Sequence, residues 1–167
     1  MKDKEGLIRQ FVEAISARGK DPDTLFLPDW ELASWQNLMA DAEAMALSDG
    51  ELLLRRGAES SDIYFLVAGK LEVSVPRSDS ISMSPLISIG PGSIVGELSF
   101  LDDHGRSASV WSRGQTSLLR LHRETFESFK VAHPLLACDL VFAIGRIVAE
   151  RLRRAQGASS DFAAVHA

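Results

Sequence analysis

Apolar residues recur at helical spacing near both ends of this chain, and at short, turn-bounded intervals between them. Leu7, Phe11 and Ile15 stand four apart, which places them on one face of a helix over about residues 4–18. Gly19-Lys20-Asp21-Pro22-Asp23 stops that helix. A second start signal, Pro28-Asp29-Trp30-Glu31, is followed by Leu32, Trp35 and Leu38/Met39 at helical spacing. Trp30 and Trp35 read as core or helix-packing residues.

From about residue 43 to 121 the period changes. Met45 and Leu47 alternate before Gly50, Leu52 to Leu54 run toward Gly57, and Ile63-Tyr64-Phe65-Leu66-Val67 runs to Gly69. Leu71, Val73 and Val75 alternate up to Pro76; Leu86, Ile87 and Ile89 lead to Gly90-Pro91-Gly92, then Ile94-Val95. Val110-Trp111 and Leu118-Leu119-Leu121 close the series. Seven or eight short strands separated by turn residues predict an antiparallel sandwich or barrel. Ser78, Asp79, Ser80, Ser82 and Ser84 fall in a polar hairpin loop.

After Thr125 the helical period returns. Phe126 and Phe129 suit a short helix ending near His133-Pro134. Leu136, Leu140, Ile144, Ile147 and Leu152 define a stripe on a long helix reaching about Ala155, with Val141 and Val148 beside it. The expected organisation is a helical segment over 1–42, a barrel over 43–125, C-terminal helices over 126–156 and a flexible, frayed tail over 157–167.

Composition narrows the class. The 167 residues are 46% hydrophobic and 25% charged, which fits a folded globular domain. One cysteine, Cys138, excludes an internal disulfide and a multi-cysteine metal site. His104, His122, His133 and His166 form no HxH or HxxxH pair, so no metal site is expected. No apolar run approaches the roughly 18–20 residues that span a bilayer, and the start shows no secretory pattern; a reduced, cytoplasmic protein is expected. Residues 1–50 hold 5 basic and 10 acidic residues, 51–120 hold 7 and 8, and 121–167 hold 6 and 5. That leaves no basic face of the size phosphate-backbone binding needs. The Arg151/Arg153/Arg154 cluster reads as a helix end complementing its dipole.

One stretch departs from ordinary strand-and-turn grammar: Gly90-Pro91-Gly92-Ser93-Ile94-Val95-Gly96-Glu97-Leu98-Ser99-Phe100-Leu101, then a polar loop and Arg106-Ser107-Ala108 before a strand. Gly96 lets backbone approach a ligand without a Cβ in the way. A short helix beginning there aims free N–H groups at one point. Arg106 supplies a full charge and bidentate donors for a phosphate. Ionised Glu97 is acceptor-only and suits the hydroxyls of a ribose. A phosphate plus a sugar diol is a nucleotide. On spacing alone, turn glycines and a Glu97–Arg106 surface ion pair explain the same residues.

Gly96-Glu97-Leu98-Ser99-Phe100-Leu101, with Arg106-Ser107-Ala108 following nine residues after the acid, resembles the phosphate-binding cassette of cyclic nucleotide-binding domains. Upstream, Asp49-Gly50-Glu51-Leu52-Leu53, Gly57, Asp62 to Gly69 and Leu71-Glu72-Val73 resemble the family's opening strands, and the likeness covers roughly residues 27–155. It implies a mainly β fold with flanking α-helices: an eight-stranded antiparallel jelly-roll barrel with N-terminal helices and a long C-terminal helix. It also implies that Glu97 binds the ribose 2′-hydroxyl and Arg106 the cyclic phosphate. Gly96, Leu98 and Ser99 would line the cassette, and Ser107 and Ala108 would contact phosphate and base. Arg151 either reaches back toward the ligand or Glu97, or keeps its head in water. Ser99-Phe100 stands where the family often has Ala-Leu, and Ser107 does not settle the base.

The expected function is therefore a sensor for cAMP, or cGMP, with no catalytic activity. Ligand binding would move the helix over about 134–155 and control a partner protein or a homodimer formed through the helices, exposing or hiding the Leu140/Ile144/Ile147 stripe or the helices around Phe11 and Trp35. The alternative is a jelly-roll scaffold or dimerisation module that binds no ligand. A metal enzyme of cupin type lacks its histidine cluster, and a dinucleotide loop lacks its βαβ unit. Only twelve residues follow Ala155, so no DNA-reading module is expected in the chain.

Overall fold

Two long strands carry the sheet. A computed structural model describes residues 3–74 and 86–165, with the backbone alone for 86 and 157–165. In chain order its elements are α1 (Lys4–Arg18), α2 (Leu32–Leu38), β1 (Glu43–Leu47), β2 (Leu52–Leu54), β3 (Ile63–Ser74), β4 (Leu86–Ile89), β5 (Ile94–Val95), α3 (Glu97–Asp102), β6 (Ser109–Leu121), α4 (Arg123–Ala132) and α5 (Pro134–Val165). The hairpin loop expected over Ser78 to Ser84 lies outside the described residues.

Every pairing is antiparallel. β6 pairs with β2 at its start (Leu52 opposite Trp111), with β1 at its end (Met45 opposite Leu118), and with β3 along its length. β3 pairs with β5 at its start (Phe65 opposite Ile94) and with β4 at its end (Val73 opposite Ile87). The expected seven or eight short strands are six among the described residues, because two predicted breaks are bends inside long strands. At Gly69 the β3–β6 register shifts and φ is +88°. A Cβ there would lie 2.4 Å from the Gln115 carbonyl oxygen, so this bulge accepts glycine alone. Gly114 likewise falls inside β6.

Strand alternation divides the interior in two. Tyr64 and Leu66 pack inside the roll with Leu71, Val95, Val110 and Leu118. Ile63, Phe65 and Val67 point to the other face and meet the helices. With both faces covered, residues 63–67 read as an unbroken apolar run rather than an alternating one. Phe11 of α1 sits at the centre of the helical side, its ring edge-on to Phe65 and to Trp35, each 5.5 Å away. Truncating so buried a ring to alanine costs about 3–5 kcal/mol.

The terminal helices follow the predicted periods with three corrections. Leu140, Ile144 and Ile147 are buried on the barrel, whereas Leu152 is exposed. The step from 147 to 152 turns about 140° around a helix and carries Leu152 off the stripe. The backbone of α5 stays helical to Val165 instead of ending near Ala155. Alanine-rich sequence there favours helix and the single Gly157 does not end it. Arg151, Arg153 and Arg154 therefore lie within α5, not at its end, and Arg151 and Arg154 are held by acids rather than by the helix dipole.

Candidate functional site

The segment after the Gly90-Pro91-Gly92 turn is tied to both sides of the fold. Gly92 N–H donates to Leu66 O and Leu66 N–H to Ser93 O, fixing the turn against β3. Arg18, at the end of α1, donates to Pro91 O and Ser93 Oγ, both at 2.9 Å. The chain then crosses β5 and turns at Gly96, whose φ is +84°. A Cβ on Gly96 would lie 2.6 Å from Arg106 Nη1 and 2.8 Å from Asp62 O, so conformation and space both require glycine.

α3 begins immediately after, with its first N–H groups lacking intrahelical acceptors. It is anchored by Phe100, which is buried and packs edge-on against Phe126 at 5.0 Å. Phenylalanine at this place serves the packing of α3 on α4. Arg123 lies over the same ring and donates to Phe100 O.

Arg106 is buried, with 3% of its surface exposed. Its backbone is locked to the Gly57 turn in both directions, Arg106 N–H to Ala58 O and Gly57 N–H to Arg106 O. The guanidinium donates from Nη1 to Gly96 O (3.0 Å) and from Nη2 to Ser60 Oγ (2.7 Å) and Asp62 O (2.8 Å). It also lies 5.8 Å from the Tyr64 ring centre. Nε is buried without a partner, and among the described residues Arg106 forms no ion pair with a carboxylate. Burial draws its pKa below the ordinary guanidinium value, against the opposing pull of Tyr64 and Asp62. The Asp62 carboxylate is turned to Arg120 (2.6 Å) and His122 instead. Burial pushes the Asp62 pKa up, but these two partners outweigh it and hold the carboxyl below its usual range.

Glu97 is 9% exposed and does not pair with Arg106. Its Oε1 accepts from Arg151 Nη1 at 2.7 Å. Arg151 spans three elements at once: it also donates from Nη2 to Ile94 O (3.0 Å) and from Nε to Asp23 Oδ1 (3.2 Å). Arg154 holds both oxygens of Asp23 at 2.9 Å. The Arg154 hydrogen bonds, working against burial and aided by Arg151, lower the Asp23 pKa.

The predicted residues thus separate into two groups. Gly96, Glu97 and Arg106 come together, and of the alternatives for Arg151 the structure takes the reach to Glu97. The surface ion pair between Glu97 and Arg106 is replaced by two buried groups with different partners. Ser99 is buried beside them, whereas Leu98 and Ser107 are exposed and Ala108 is half-buried. Sequence reasoning missed Asp23, Ser60 and the Asp62 carbonyl. Asp23 lies 128 residues from Arg151 and gave no local signal beyond its place in a turn.

A family model described as the cyclic nucleotide-binding domain matches residues 44–133, which includes both Glu97 and Arg106. A lysophospholipase of Neurospora crassa is 29% identical over 111 residues, covering 66% of this chain and 7% of that protein. The chain thus corresponds to a small fraction of the length of such relatives. A cyclic nucleotide-binding domain from Methylobacillus flagellatus superposes with a TM-score of 0.77 at 18% identity, over 90% of this chain and 80% of that one. The catabolite activator protein of Thermus thermophilus does so at 0.69 and 24% identity, over 86% and 63%. These likenesses identify the roll of β1–β6 as the jelly-roll fold with its long C-terminal helix. With a family match over more than half its length, the chain belongs to the cyclic nucleotide-binding domain family.

Proposed function

We propose that this chain is a regulatory module that binds cAMP, with cGMP as the second candidate, and that couples binding to the position of α5. The observation that carries the reading is the buried guanidinium of Arg106, which has neutral acceptors, an unpartnered Nε and no carboxylate among the described residues. A buried charge held without a counter-charge is costly. A cyclic phosphate beside α3 would supply the missing charge, and Gly96 keeps the approach free of a Cβ. The residues present fit such a ligand, with Glu97 able to accept from the ribose 2′-hydroxyl once Arg151 releases it.

Arg151 supplies the coupling. A ribose hydroxyl donating to Glu97 competes with Arg151 for the same carboxylate, so ligand favours arrangements of α5 in which that bond is released. A ligand moves the helix only by its difference in affinity for the two arrangements. The output is control of a protein partner in the cytoplasm, and no catalytic role is proposed for this segment. The second reading, a roll that binds no nucleotide and serves assembly, is favoured by one observation: Glu97 already has a strong partner.

Calorimetric titration of cAMP and of cGMP into the purified chain separates the two. The sensor reading expects saturable binding of one ligand per chain, and no heat at millimolar concentration of either ligand leaves the assembly reading.

A further inference from the structure

We infer that the carboxylate of Asp62 is an internal competitor for Arg106, held off the nucleotide site by Arg120 and His122, so that protonation of His122 tightens nucleotide binding. The inference rests on the reading of the site as one for a cyclic nucleotide. Asp62 stands one residue before β3 and meets Arg106 with its backbone, its carbonyl accepting from Arg106 Nη2 at 2.8 Å. Its side chain, 13% exposed, is turned elsewhere, and each oxygen has its own holder. Arg120 grips Oδ2 from Nη2 at 2.6 Å and from Nε at 2.9 Å, and His122 Nδ1 lies 3.3 Å from Oδ1. Arg106 meanwhile keeps a buried Nε without a partner. A carboxylate freed from its holders stands on the residue that Arg106 already contacts, and its charge would serve the guanidinium in place of a phosphate.

His122, with one longer contact against the two short ones of Arg120, is the weaker holder and the one that a proton changes. It occupies the N-cap position of α4, yet its side chain makes no capping bond. The ring is set between two acids, with Glu43 Oε2 of β1 3.7 Å from Nε2 and Asp62 Oδ1 beside Nδ1. An imidazolium has an N–H for each, whereas the neutral ring has one N–H and turns a lone pair to the other carboxylate. Arg120 of β6 also reaches Glu43, at 3.3 Å. From α4, Arg123 is turned away to Glu127 and Phe100 O. Tyr64, opposite Arg120 in the sheet, is buried, and burial raises its pKa further above this range. With His122 protonated, Glu43, Asp62, Arg120 and His122 sum to zero charge; loss of the proton leaves one negative charge and a looser hold on Asp62. Histidine is the side chain that ordinarily changes charge between about pH 5 and 8. Proton and nucleotide favour the same arrangement, with Asp62 held off Arg106, so each strengthens the binding of the other. Affinity is therefore highest with the imidazolium and falls as pH rises through its titration.

Calorimetric titration of the full chain with cAMP and with cGMP, in steps from about pH 5.5 to 8, tests this. Wild-type affinity should fall about fivefold or more across the range. Binding near its middle should take up protons, read as a heat that varies with the ionisation enthalpy of the buffer. His122→Ala should bind at every pH as the wild-type chain does at the alkaline end. Asp62→Asn removes the competitor, so it should bind at every pH at least as tightly as the wild-type chain at the acid end. The double variant should match Asp62→Asn and so rescue His122→Ala. A residue that only supports the fold gives the opposite result, a loss of affinity in Asp62→Asn that the double variant deepens. That result, a wild-type affinity constant with pH, or a pH dependence that persists in Asp62→Asn overturns the inference and leaves the nucleotide reading intact. No binding of either nucleotide by any of these proteins, with melts by circular dichroism showing them folded, overturns that reading and this inference with it.

Discussion

Arg151 of α5 donates to Glu97 of α3 across 54 residues of sequence, at 2.7 Å, and so ties the long helix to the acid of the cassette. The bond is mostly shielded from water: the Glu97 side chain is 11% exposed and that of Arg151 24%. The same guanidinium holds Ile94 O and Asp23, which makes it the point where the N-terminal turn, the cassette and α5 meet. On the proposed reading the same carboxylate would serve a ribose hydroxyl when ligand is bound, so helix and ligand would be linked by competition, with no need for a longer relay.

Removing Arg151 tests that competition directly. Arg151→Ala leaves a buried carboxylate without its donor, a loss of about 1–3 kcal/mol in the free protein. The ribose 2′-hydroxyl would restore part of it, so cyclic nucleotide should bind several-fold more tightly while the melting temperature falls. Thermal melts paired with calorimetry read both. A fall in affinity would instead make Arg151 a direct ligand contact.

Arg106→Ala should weaken cyclic nucleotide binding by roughly 2–5 kcal/mol, the cost of truncating one member of a buried charge pair. Adenosine, which lacks the phosphate, separates this role from general loosening of the cassette. Its binding should change little if the guanidinium serves the phosphate, and an equal loss for both ligands would place the phosphate elsewhere.

What could be read from the sequence divides along physical lines. Periodicity reports which side of an element is apolar, so α1, the Phe126/Phe129 helix and the Leu140/Ile144/Ile147 stripe were all visible in it. It does not report whether a glycine ends a strand or bends it. Gly69 therefore predicts a turn, whereas the close approach of Gln115 O makes it a bulge inside β3. Between 96 and 106, residue types and spacing alone are equally satisfied by turn glycines and a surface ion pair, and only the family resemblance singles out Gly96, Glu97 and Arg106 together. Their partners were not legible, because Asp23, Ser60 and the Asp62 carbonyl arrive through the fold from distant turns. A backbone carbonyl has no sequence signature at all.

Glu97→Gln tests the proposed role of Glu97 at the sugar. The amide keeps one acceptor oxygen but loses the charge, so its hydrogen bond to a ribose hydroxyl is the weaker kind. Binding of the ribose nucleotide should drop about tenfold or more, in line with the energies of charge-assisted bonds. The 2′-deoxy analogue has no hydroxyl to lose and should bind the two proteins alike. Equal losses for the two ligands, measured by competition against a fluorescent analogue, would remove Glu97 from the ribose.

Asp23 makes the attachment of α5 sensitive to acid. Its pKa is lowered in the folded protein, first by the Arg154 hydrogen bonds, against burial, and then by Arg151. A carboxyl whose folded pKa lies below its unfolded value adds stability that is fully present above the unfolded value, about 3.9. That contribution is lost as pH falls from there through the folded pKa. Urea unfolding at pH 6 and at successively lower pH should show the wild-type chain losing more stability across this window than Asp23→Asn, which cannot titrate. Asp62 is also lowered and remains in both proteins, so it contributes the same acid limb to each. At pH 6 the variant should be the less stable of the two, and hydrogen exchange should quicken in α5 around Arg151 and Arg154. Parallel pH profiles for the two proteins would show that Asp23 does not hold α5 against the cassette.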